Sequence, residues 1–187
     1  MAINTDVLDN QYMRIALVNG MRSKENFKVG ACVVNPNGKV IAMGYNSILF
    51  PEFHKECAEK KYSWMYRYNT INLAIESALS NSNVDYKNAT VYATTYPSMC
   101  CVKEMAKKGI RRVVFYNDKR PQIMPETYYK DTDQALKESC ILRSPFKAQD
   151  DEFEDATEDD DTKDIRLKAN LVNTQIDKYR DYKIRGW

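Results

Sequence analysis

Few side chains in this 187-residue chain could do chemistry, and the sharpest group opens a helix-like stretch: Pro97-Ser98-Met99-Cys100-Cys101. A hydroxyl and two thiols at the start of a helix stand where metal ligands could be presented. One residue along a helix turns a side chain by about 100°. Cys100 is therefore expected to pack under the helix rather than stand in beside Cys101. His54-Lys55-Glu56-Cys57 has ligand-like spacing, and from an irregular insertion it could reach Cys101 and bind zinc at a novel site. His54 is the only histidine. Ordinary zinc catalysis, or acid–base work by histidine, is therefore hard to build. The five cysteines are odd in number and in no framework spacing, which predicts reduced thiols in a cytoplasmic or nuclear protein.

Other residues suit anions and bases. Arg22 and Lys24 follow a predicted first helix, where they could meet phosphates or form a solvated helix end. The run Lys60 to Tyr68 (KKYSWMYRY) alternates aromatics with cations. It could stack on the bases of a single strand, or form a half-buried strand or a loop covering the site, the reading preferred here.

Charge divides the chain. Residues 1–149 hold 21 Lys/Arg against 14 Asp/Glu, a balance of +7, and residues 165–187 hold 6 against 2, or +4. Between them Asp150 to Asp164 carries ten acids and only Lys163, or −9. This block is expected to be a solvated linker; a sharper reading makes it an electrostatic mimic of nucleic acid that covers a basic surface of the same protein. Beyond it, Ile165, Ala169, Val172, Ile176 and Tyr179 are spaced 4, 3, 4, 3, the seam of a basic amphipathic helix. That helix would dock on its own domain or on a partner subunit. The predicted organisation is a domain over 1–147, an acidic linker over 148–164 and the C-terminal helix over 165–187. A hydrophobic content of 43% supports one substantial core, and no apolar run approaches a membrane span.

The elements that must position these residues fall in a clear order. Leu8, Tyr12, Ile15 and Asn19 form one stripe of a helix from Leu8 to Met21, widened by Leu17 and Val18. VGACVVN and KVIAMGYN read as strands joined by the turn Asn35-Pro36-Asn37-Gly38. An irregular insertion runs from Ser47 to about Tyr66. A helix over Asn69–Leu79, a buried strand in ATVYATT, a helix over Ser98–Lys108 closed by Gly109 and a strand in RRVVFYN follow. Asp131–Glu138 is predicted helical, and Ile141–Phe146 a short edge strand. A hairpin followed by strand–helix–strand units leads to an α/β sandwich with helices on both faces.

Arg22-Ser23-Lys24, Val29 to Val34 and Gly44-Tyr45-Asn46, together with VYATTYPSMCCVKEMAKKGIRRVVFYND, resemble the zinc-dependent cytidine and deoxycytidylate (dCMP) deaminases over about residues 8–145. The resemblance implies a three-layer α/β/α sandwich with a mixed central sheet. In that family a helix begins His-Ala-Glu and a later strand ends in Pro-Cys-x-x-Cys. Aligned without gaps, Asn72, Leu73 and Ala74 stand on the first motif, and Ser98 and Cys101 on the two cysteines after Pro97. Such a zinc needs three imidazole or thiolate ligands, and a nearby carboxylate must shuttle the proton to the exocyclic amine. Asn72 offers a weak amide oxygen, Ser98 a neutral hydroxyl and Ala74 no acceptor. A slip of two residues would instead put Glu76 on the carboxylate position.

The resemblance further implies nucleotide contacts at Asn46, Gly44, Arg22 and Lys24, although Ser47 replaces the family's glycine after the asparagine. The expectation is a deaminase-like protein without catalytic residues, metal or other cofactor. Its role would be structural or regulatory, assembling with itself or an active paralogue and binding a deoxynucleotide. The alternatives are a nucleic-acid-binding protein on the same scaffold and a dCMP deaminase of altered chemistry.

Overall fold

A computed structural model describes residues 5–25, 28–59, 70–116 and 126–146. The aromatic run from Lys60 to Tyr68, the acidic segment and the C-terminal seam lie outside those residues.

The first helix, α1 (Thr5–Gly20), turns Met13, Ala16 and Leu17 into the core. Val18, expected to widen the same face, is 46% exposed, because one further residue rotates it off the Met13–Leu17 row. The hairpin forms as expected from β1 (Gly30–Val34) and β2 (Val40–Tyr45), antiparallel with Cys32 opposite Met43 and a register shift between Val33 and Val34. Its turn is held by the Asn35 side chain, whose Oδ1 accepts the N–H groups of Asn37 at 3.1 Å and Lys39 at 2.9 Å.

The insertion is more regular than its composition indicates. It contains β3 (Ser47–Ile48) and, from Pro51, α2 (Pro51–Glu59). Proline at the first helical position has a preset φ and no N–H to leave unsatisfied. β3 pairs with β4 (Ile71–Asn72), and this pairing corrects the next boundary. The helix expected from Asn69 starts at Ala74, because Ile71 and Asn72 are in a ladder and Leu73 is extended (φ −77°, ψ 150°). It is α3 (Ala74–Ala78).

β5 (Thr90–Ala93), α4 (Met99–Lys107), β6 (Arg112–Phe115), α5 (Glu126–Glu138) and β7 (Leu142–Pro145) complete the described fold. α5 begins earlier than the Asp131 expected for it. Gly109 (φ +70°) closes α4 as predicted: the Ile110 N–H reaches back to the Met105 carbonyl at 3.0 Å, a bond that needs the left-handed residue between them. The five-stranded sheet has the order β2-β1-β5-β6-β7. β1 is antiparallel to β2 and β5, whereas β5, β6 and β7 run parallel.

Strand alternation then sorts the core. Ala31, Val33, Val91, Ala93 and Val113 pack with α3 and α4, whereas Cys32, Val34, Tyr92 and Val114 pack under α1. On the α1 face Asp9 receives both Arg112 amino groups, at 3.0 and 2.6 Å, and the Tyr92 hydroxyl at 2.7 Å. Arg112 Nε also donates to Ser144 Oγ at 3.1 Å, so one ionic cluster ties α1 to β5, β6 and β7.

Candidate functional site

The site lies where the N-termini of α3 and α4 meet the ends of β1, β2 and β5. Ser98 is the N-cap of α4. Its Oγ accepts the Cys101 N–H at 3.3 Å and its hydroxyl donates to Cys101 Sγ at 3.3 Å. Both polar functions of the serine are thus engaged in closing the helix end. Cys101 is buried, and burial pushes its thiol up to about 12, so it is protonated at neutral pH. Cys100, expected under the helix, is exposed; the face that packs on the sheet carries Cys101, Val102 and Met105.

α3 starts with Leu73 as an N-cap that has no side-chain oxygen. Glu76, three residues on, supplies what the cap lacks by accepting the Leu73 N–H at 3.3 Å. Burial raises the Glu76 carboxyl above its ordinary range, the Leu73 hydrogen bond opposes the shift, and the charge of Glu104 adds to it. The Glu76 charge in turn reaches Cys101. Glu76 and Cys101 stand near the starts of two helices that pack together, whereas Asn72 lies outside the helix, paired with Ser47. Ala74 is buried against β2.

Of the residues expected to meet a nucleotide, Gly44 and Asn46 also hold the scaffold together. A Cβ on Gly44 would fall on the Ala74 carbonyl oxygen and the Ala78 nitrogen, so this glycine lets α3 lie directly on β2. Asn46 is buried; its Oδ1 accepts the Val29 N–H at 2.7 Å and its carbonyl accepts the Ser23 hydroxyl at 2.7 Å. Arg22 lies over the Tyr45 ring, 4.9 Å from its centroid, with its guanidinium 3.5 Å from Asn19 Oδ1. Lys24 is exposed.

His54 is placed with Thr70 and Glu25. Its Nδ1 is 2.6 Å from Thr70 Oγ1 and its Nε2 is 3.7 Å from Glu25 Oε2. Glu25 is 9% exposed, and among the described residues its buried Oε1 has no hydrogen-bond partner. Sequence reasoning missed Glu25. The only available signal is its position directly after Arg22-Ser23-Lys24, and a lone acid in a loop normally faces water. The Cys57 side chain falls outside the described residues.

At the two helix ends Cys101 offers a buried thiol, the Ser98 hydroxyl is engaged in capping, and α3 carries no histidine. Among the described residues no group of three or more His, Cys, Asp or Glu is placed to hold a metal ion. No helix among them is long and apolar enough to cross a membrane.

Residues 7–117 match the cytidine and deoxycytidylate deaminase zinc-binding region. The deoxycytidylate deaminase of Homo sapiens is 29% identical over 132 residues, 66% of this chain and 67% of that protein. The probable deoxycytidylate deaminase of Drosophila melanogaster is 23% identical over 126 residues, 59% of this chain and 60% of that one. Among solved structures, the dCMP deaminase of cyanophage S-TIM5 in complex with dCMP and dUMP superposes with a TM-score of 0.57 at 21% identity, covering 76% of this chain and 98% of that one. The mixed five-stranded sheet with helices on both faces is thus the fold of a cytidine-deaminase-like protein, and the chain belongs to the cytidine and deoxycytidylate deaminase family.

Proposed function

We propose that this chain is a non-catalytic member of its family, a dCMP-deaminase-like subunit with a structural or regulatory role that assembles with itself or with an active paralogue. One observation carries the reading: the two helix N-termini that would present metal ligands are closed by their own capping groups. The Ser98 hydroxyl is held between the Cys101 N–H and Sγ. On α3 the first turn reads Leu73-Ala74-Ile75. If Asn72 takes the family's histidine position, Ala74 takes the carboxylate position; if the motif slips by two residues, Ala74 and Glu76 take them. Neither register supplies a ligating imidazole together with a proton acceptor, so activation of water for attack on a pyrimidine lacks its parts.

Such a scaffold still suits binding. Lys24 is exposed at the end of α1, close in sequence to Arg22 on Tyr45, and a deoxynucleotide phosphate is the anion this end would take. Metal analysis of the purified protein, paired with deaminase assays on dCMP and deoxycytidine, tests the proposal. The expected result is no stoichiometric zinc and no turnover; one zinc per chain with turnover overturns it. Native mass spectrometry, alone and with an active paralogue, tests the assembly, and calorimetric titration with deoxynucleotides tests the ligand.

A second reading rests on Glu76, whose charge reaches Cys101: a deaminase of altered chemistry with Glu76 as its proton carrier. Turnover that survives metal chelation and disappears in Glu76→Gln would select it.

A further inference from the structure

At the sheet edge opposite the hairpin, an open groove of about 550 Å³ runs between α5 and β7. Leu136, Ile141 and Leu142 form its floor, and Lys130, Lys137 and Arg143 stand around it with Asp133 as the only acid, a balance of +2. Leu142 is 62% exposed, more than any other large hydrophobic among the described residues. Arg143 lies 3.4 Å from Asp133 yet is still 48% exposed, which leaves guanidinium donors for a second carboxylate. Strand addition on this edge is blocked. The N–H groups of Leu142 and Phe146 bond to β6, which turns positions 143 and 145 outward, and position 145 is a proline without an N–H. An occupant must therefore be held by its side chains.

We propose that the occupant is the chain's own acidic segment, Asp150 to Asp164, folded back along the α5–β7 groove with its carboxylates on Lys137 and Arg143 and Phe153 against Leu142. Two observations support it. The first is charge: the segment carries −9 and the groove +2. The second is reach. β7 ends at Pro145, and α5 runs back alongside it through the turn at Ser139-Cys140, so the chain leaves the sheet near the N-terminal half of α5. Lys130 and Lys137 are about 10 Å apart along the helix, and the four residues from Phe146 to Asp150 span up to about 14 Å. The first acids therefore reach the groove without ordering a long loop, and a short tether supplies them at about millimolar effective concentration. Docked there, the segment screens a basic, partly apolar face from polyanions in solution, and high salt or a stronger acidic ligand releases it.

Paramagnetic relaxation in the full-length protein tests this. A spin label is placed at A156C in a background of C57S, C100S and C140S, which leaves only the buried Cys32 and Cys101. Amide signals of Leu136 to Arg143 are expected to weaken roughly twofold or more, and to recover in 1 M NaCl, where the screening length is about 3 Å. They should also recover in K137E/R143E, whose exposed substitutions keep the fold. Weakening elsewhere on the surface, or none, overturns the proposal. So does weakening that appears only between copies, in a mixture of spin-labelled and isotope-labelled chains, because a second copy is then the occupant.

Discussion

Replacing Gly44 by alanine separates packing from ligand binding at this position. In the native fold α3 lies on β2 so closely that an added Cβ meets the Ala74 carbonyl oxygen and the Ala78 nitrogen, with Ala78 Cα at 2.9 Å. These are backbone atoms of a helix, so no side chain can rotate away. α3 must lift, and it carries Ala74, Ile75 and Ala78 out of the main core. Overpacking of a core costs about 1–3 kcal/mol, and a rigid backbone obstacle puts Gly44→Ala near 3 kcal/mol. For a chain of this size each kcal/mol lowers the melting temperature by about 2–4 °C, so a fall of about 6–12 °C is expected. Circular dichroism melts of wild type and variant, each with and without deoxynucleotide, measure it. A melting temperature within about 2 °C of wild type refutes the packing argument. If nucleotide affinity alone were lost, Gly44 would be a ligand contact instead.

Three further outcomes follow from the same geometry. Ala74→Glu is expected to give no dCMP turnover and to destabilise by at least about 3 kcal/mol, because the new carboxylate is buried against β2 without a partner; a spectrophotometric deaminase assay and a denaturant titration check both. Asp9→Asn removes the carboxylate that Arg112 meets at 2.6 Å in a partly buried setting, with side chains 26% and 12% exposed for Arg112 and Asp9. A loss of about 2–3 kcal/mol is expected in urea unfolding, below the 3–5 of a fully buried pair. Burial pushes the Cys32 thiol up to about 12 from an ordinary 9.0. Above pH 9 the unfolded state therefore holds fewer protons than the folded one, and stability falls towards pH 12 by about 1.4 kcal/mol per pH unit from this group. Cys32→Ala should remove that part of the slope, as unfolding at pH 8, 9.5 and 10.5 would show.

The hairpin, the buried strands around Val91 and Val113, and α4 with its Gly109 stop were legible from local chemistry. Each depends on short-range rules: Asn35 closing its own turn, β-branched runs, a glycine with positive φ. The alternation that sends Cys32 to one face and Val33 to the other was likewise readable, because strand geometry alone sets it. The residue types at the two helix starts, Leu73-Ala74-Ile75-Glu76 and Ser98-Met99-Cys100-Cys101, are also a matter of sequence alone.

Tertiary structure decided what long-range pairing controls. The start of α3 moved from Asn69 to Ala74 because Ile71 and Asn72 pair with Ser47 and Ile48 more than twenty residues earlier, and no local propensity reports such a ladder. The same pairing removed Asn72 from the helix and brought Glu76 to the cap, with its charge near Cys101. Which of two adjacent thiols packs inward was settled by how α4 sits on the sheet, so Cys100 is exposed and Cys101 buried. That Gly44 is the point where the backbone of α3 meets β2 was set by how the helix lies across the sheet. Glu25 and His54, 29 positions apart, became neighbours through the packing of α2 beside the loop after α1. Residue types set what chemistry was available, and only the packed sheet and helices set which of those groups meet.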